Sequence, residues 1–240
     1  MDPFQRLRQN LTQAMNSKGW SQEEVRVKVR TLTPQEAIGD PEHRDYPLVK
    51  GKERMMSADF RGAQGQAFTD QFGNFQASLE DVATMELTNN FRRAVLLATL
   101  NAVMRAQGLV KGTVHCKDEA PPRCAAQLAD MVAQRFGAPR VTLVGLQPRM
   151  AQALGARFPL RITDLDQDNI GRERFGIIVE GGEKTADALD WCDLALVTGT
   201  TFSNASITSI GNNKPMIFYG VTVAGPAAIL GLERFCPLGS

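Results

Sequence analysis

The chain lacks the signatures that announce the commonest enzyme chemistries. No G-x-S-x-G elbow is present, and with only two histidines, His43 and His115, a serine-histidine-acid triad would have to draw on one of them. No C-x-x-C pair occurs among the four cysteines, Cys116, Cys124, Cys192 and Cys236, which excludes zinc-finger spacing. Charge of one sign is missing too. The chain has 27 Lys and Arg against 26 Asp and Glu, a formal net charge of +1 with no dense basic run, so nucleic acid is a poor candidate partner. Local clusters at Arg26 to Arg30 and Lys50 to Arg54 read as solvated faces. The longest apolar runs, VTLVGL and PMIFYGVTVAGPAAILGL, are too short or too rich in glycine and proline to cross a bilayer as one helix, so no membrane partner is expected. Irregular cysteine spacing and the want of a charged-then-apolar leader argue against a secreted disulfide framework. They predict a cytoplasmic protein with free or metal-bound thiols.

What is present is an α/β pattern in two parts. At 240 residues the chain has room for one large or two modest domains. Phe4, Leu7, Leu11 and Met15 share a helical face that should end near Asn16 to Gly19, and Glu24 to Leu32 alternates with the period of a half-wet strand. Met55 to Phe75 reads as strands and turns. Ser78 and Asp81 resemble a capping box, and FRRAVLLATLNAVMRA reads as a long amphipathic helix ended by Gly108. After Gly112 strand and helix alternate, with strands expected at Val141 to Gly145, Leu160 to Asp164, Gly176 to Glu180, Asp193 to Thr198 and Pro215 to Gly220. That shift sets a domain boundary near Gly112 to Arg123.

The strand-like runs of the second part end in small-residue loops, as strands do where an open parallel sheet presents a ligand crevice. Gly145 and Gln147 open the first loop, and Pro148 suits the first turn of a helix. This loop lacks the glycines that bring a pyrophosphate against the backbone, so a classical NAD site is disfavoured. Asp164 still lies where a ribose-binding acid would sit. Thr198, Gly199, Thr200, Thr201 and Asn204 combine hydroxyls and free amides, which suit either an anion or ordinary helix capping. Glu180 precedes a Gly-Gly turn, and Gly220 and Thr222 form the fourth loop, so all of these residues are candidates for binding a small ligand.

A separate constellation is GTVHCKDEAPPRC, in which His115 and Cys116 are adjacent and Cys124 follows. Cys236 precedes Pro237, as some iron-sulfur ligands do. Soft sulfur and imidazole donors suit a transition metal ion or an iron-sulfur cluster, and His115, Cys116, Cys124 and Cys236 could close a tetrahedral site. Free cysteine is equally at home as a small buried hydrophobe, the reading preferred for Cys192. His43 is read as a surface residue.

The segments LLATLNAVM, VTLVG, ADALDWCDLALVTGTTFSNASI and FYGVTVAGPAAILG together resemble the family described as "putative heavy-metal chelation". The resemblance covers nearly the whole chain, with TGTTFSN its most specific part. It implies an α/β fold: an enolase-N-terminal-like α+β domain over residues 1–111, then a Rossmann-like, mostly parallel sheet with helices on both faces over residues 112–240. It also implies a cleft between them and a role in metal chelation. The rival expectation is an enzyme or sensor that takes a nucleotide-like or S-adenosylmethionine-like molecule on the Rossmann-like loops. A homo-oligomer is left open.

Overall fold

A computed structural model describes residues 2–20, 27–43, 45–50, 53–211 and 214–240. Helix α1 (Pro3–Lys18) begins where the Asp2 side chain accepts from Phe4 N and ends at Gly19, which takes the left-handed conformation at φ 68°. Its Phe4, Leu7, Leu11 and Met15 are buried as one stripe. Strand β1 (Val27–Leu32) follows, and residues 24–26 of the expected strand lie outside the described residues. The short helices α2 (Pro34–Ile38) and α3 (Pro47–Lys50) then lead to β2 (Arg54–Phe60), β3 (Ala63–Thr69) and β4 (Phe75–Ala77). These four strands form an antiparallel sheet in the order β3-β2-β1-β4. Helix α4 (Leu79–Thr84) is capped by the Ser78–Asp81 box, as expected.

Helix α5 (Asn90–Ala106) departs from the expected amphipathic pattern, because every residue from Ala94 to Met104 is buried. One side lies on β2 and β3, and the other packs against helices of the second half. A helix enclosed on both sides has no wet face to encode. Gly65 on β3 makes the close approach possible, since a Cβ there would fall 2.2 Å from Ala102 N and 2.3 Å from Ala98 O.

The second half contains α6 (Ala120–Phe136), β5 (Val141–Val144), α7 (Pro148–Gly155), β6 (Leu160–Asp164), β7 (Glu173–Arg174), β8 (Ile177–Gly181), α8 (Thr185–Trp191), β9 (Leu194–Thr198), α9 (Thr200–Ser203), β10 (Met216–Tyr219), α10 (Ala224–Leu230) and β11 (Arg234–Phe235). Its strands lie in the order β11-β10-β9-β5-β6-β8-β7, parallel except for the edge pair β7 and β8. Along β9, Leu194 and Leu196 join the core beneath α6 and α7, while Ala195 and Val197 join the core shared with α1 and α5. Both faces of the sheet are therefore covered, which explains the continuous apolar strands. The two-residue strands β7 and β11 were too short to read as strands in advance.

The halves are joined by polar as well as apolar contacts. Fully buried Asn101 donates through Nδ2 to the carbonyls of Gln66, Val221 and Thr222 at 2.9, 3.1 and 3.2 Å, and its Oδ1 accepts from Gly225 N at 2.7 Å. One side chain on α5 thus fixes β3 against the loop that follows β10. Among the described residues, no helix is long and apolar enough to cross a membrane.

Candidate functional site

The chain starts the second sheet at its centre with β5, builds outward through β6 and β8, then returns to the other side of β5 with β9, β10 and β11. The loops after β5 and β9 therefore diverge, and a crevice opens where the strand order reverses. Gly145, at φ +87°, stands so close to the neighbouring loop that a Cβ would lie 2.5 Å from Thr198 Cγ2. The Tyr219 hydroxyl, 2.7 Å from the Gly145 carbonyl oxygen, braces the same corner. Burial raises its pKa, so it stays a donor.

Residues of the first half close the other side of this crevice and leave a cleft of about 740 Å³. Fourteen of the fifteen residues expected from the sequence line it: Gly145, Gln147, Asp164, Thr198, Gly199, Thr200, Thr201, Asn204, Gly220, Thr222, His115, Cys116, Cys124 and Cys236. Glu180 does not. Its carboxylate is gripped by Arg161 at 2.7 and 2.6 Å, and Asp187 joins the same guanidinium.

Many expected ligand contacts are already used internally. Thr222 Oγ1 accepts from Phe68 N at 2.9 Å and so ties the halves together, while Thr201 Oγ1 donates to Thr198 O at 2.8 Å. The Thr198 and Thr200 hydroxyls lie 3.0 Å apart, and α9 is only four residues long, so this loop fits local capping better than an anion site. Gln147 caps α7 through Met150 N. Asp164 holds Leu146 N and Asp166 N, each at 2.8 Å, and burial raises its pKa.

The sulfur donors come from three separate elements. Cys124 is buried near the start of α6, Cys236 directly follows β11, and Cys116 lies in the connecting segment. That segment is held by His115 N donating to Gln66 Oε1 at 2.7 Å and by mutual backbone bonds between Val114 and Ser240. His115 Nδ1 lies 2.5 Å from the Cys116 carbonyl oxygen, which can only accept, so Nδ1 carries the proton and Nε2 keeps its lone pair. Burial depresses the imidazole to about 4 and pushes Cys116 to about 11 and Cys124 to about 12. Cys236 is close enough to raise Cys116 further, and Cys116 and Cys236 together raise Cys124. Even so, among the described residues no three His, Cys, Asp or Glu side chains are grouped so as to hold a metal ion. The tetrahedral site expected from His115, Cys116, Cys124 and Cys236 is not closed. Cys192 is wholly buried, as read, and His43 is half-buried.

Of the cleft's carboxylates, Asp164 was expected, but Glu53 and Asp70 were not. Glu53 belongs to the Lys50–Arg54 run read as a solvated face, yet it lines the cleft with Asp70, Asp164 and Asp166. Burial, then repulsion from Asp164, Asp70 and Asp166, raises it to about 7. Tyr46 and Ser203 were missed as well. They are only 6% and 2% exposed, line the cleft and carry hydroxyls without a partner.

The fold and cleft define an open, doubly wound α/β protein with its crevice at the strand-order reversal. More particularly, residues 127–229 match the model of the DUF364 family, described as "Putative heavy-metal chelation", the family that the sequence resembles. No curated protein matches the chain. Two DUF364 proteins of unknown function have similar crystal structures. One, from Pyrococcus horikoshii, has 12% identity and a TM-score of 0.57 over 92% of this chain and 80% of that one. The other, from Desulfitobacterium hafniense, has 13% identity and a TM-score of 0.53 over 74% and 72%. At such identities the likeness is one of fold.

Proposed function

We propose that this protein binds a small metal-bearing ligand in the cleft between an enolase-N-terminal-like domain, residues 1–111, and a Rossmann-like domain, residues 112–240. The observation that carries this reading is the meeting of His115, Cys116, Cys124 and Cys236 with the loops of the strand-order reversal in one cleft. Neutral imidazole and sulfur are the donors a soft or borderline metal selects. Because no three of them are grouped, the protein supplies only part of a metal's coordination and the remaining donors come from outside it. A metal arriving with donors of its own needs fewer from the chain, and 740 Å³ is ample for such a complex. The metal is then cargo. The nucleotide-like reading retains one supporting observation, the position of Asp164 at the tip of β6 beside the loop after β5.

The test is elemental analysis with an ultraviolet-visible spectrum on protein purified without oxygen or an affinity tag, beside the Cys116→Ser, Cys124→Ser double variant. Stoichiometric metal with thiolate-to-metal bands, both lost in the variant, is the expected result. Metal-free protein whose thiols all react, and which gains no such band on adding cadmium, would overturn the reading.

A further inference from the structure

We infer that the cleft recognises a positively charged ligand, with Glu53 as its principal counter-charge. This rests on the cleft being the binding site and adds the charge class of what enters it. The carboxylates of Glu53, Asp70, Asp164 and Glu183 all line the cleft, whereas no described lysine or arginine does. Arg93, the cation that feels Asp70, is committed elsewhere: its guanidinium donates to the carbonyls of Ser203 and Leu87 and to Asn90 Oδ1. Like charges brought together in a partly desolvated cleft repel one another, and an incoming cation turns that repulsion into attraction.

A second observation points to the same ligand. The Tyr46 and Ser203 hydroxyls are buried, face no partner and belong to the cleft lining, which leaves two polar groups to be satisfied by whatever enters. A hydroxyl oxygen accepts from an ammine, ammonium or guanidinium N–H, so a cation rich in N–H groups meets both needs. An anion such as a pyrophosphate would meet the same hydroxyls but only repulsion from the carboxylates. Two sources share the required chemistry: a cationic metal complex and an organic amine.

The full chain would be titrated calorimetrically at pH 8 with hexaamminecobalt(III), which does not exchange its ligands for thiols, with spermidine and with inorganic pyrophosphate. Saturable one-to-one binding of a cation is expected, with no binding of pyrophosphate. Hexaamminecobalt(III) alone would identify a metal complex as the source, and spermidine an amine. Glu53→Gln should weaken cation binding at least about tenfold, while Glu80→Gln, exposed on α4, leaves it unchanged. Should Glu53→Gln not fold, Asp70→Asn at the exposed rim should weaken binding about threefold. Pyrophosphate binding in place of the cations, no binding of either cation, or equal cation binding by wild type and the variants would each overturn the charge assignment. The cadmium response of the thiols judges the underlying metal reading separately.

Discussion

The two walls of the cleft answer burial in different ways. On the sulfur wall, burial pushes Cys116 and Cys124 to about 11 and 12, so near neutrality these thiols hold their protons until a metal displaces them. On the carboxylate wall, burial and neighbouring charges bring Glu53 only to about 7, so it exchanges its proton within the physiological range. One wall is a latent donor set and the other a charge that is already half expressed. A ligand that meets both must bring positive charge and tolerate soft donors.

The largest expected effect comes from severing the frame that holds the walls together. Asn101→Leu strips partners from Gly225 N and from three carbonyls at the junction of the halves. It should cost about 3 kcal/mol or more of stability, read as a lower urea midpoint, and should weaken ligand binding at both walls together. Retention of stability with loss at one wall only would show that the walls are positioned independently.

A smaller effect separates the walls by pH. The folded state holds the Glu53 proton to about 7, against an ordinary value of 4.5. The stability Glu53 contributes is therefore fully present below about pH 4.5 and lost as the pH rises through about 7. Removing the charge with Glu53→Gln should raise the melting temperature by roughly 3 °C at pH 8 and leave it unchanged at pH 4. The same shift at both pH values would mean that packing, not ionisation, distinguishes the variant.

Sequence reading reached the sulfur wall and Asp164 but not Glu53, for physical reasons. The sulfur wall was legible because cysteine and histidine are rare in this chain and two of them adjoin, so the residue types themselves drew attention. The loops after β5 and β9 were legible because strand ends in a parallel sheet share one edge. Glu53 was not legible, because a carboxylate beside lysine and arginine in a single sequence looks like solvent-facing charge. Only the tertiary fold, which sets Glu53 beside Asp164 and Asp166 of the second half, turns it inward. The same tertiary enclosure hid α5: a stripe for one neighbour can be read from periodicity, but burial against two neighbours erases the polar face. Gly65 and Asn101, which set that enclosure, carry no local pattern at all.

The central claim is that a metal-bearing ligand engages the sulfur wall, and counting protons tests it most directly. Cadmium would be added anaerobically to the full chain at pH 7 in weakly buffered solution, with the ultraviolet band and the released protons followed together. Engagement of the thiols predicts a thiolate-to-cadmium band and about two protons released per bound ion. Cadmium bound with no band and fewer than about one proton released would place the ion on the carboxylates instead and contradict the account.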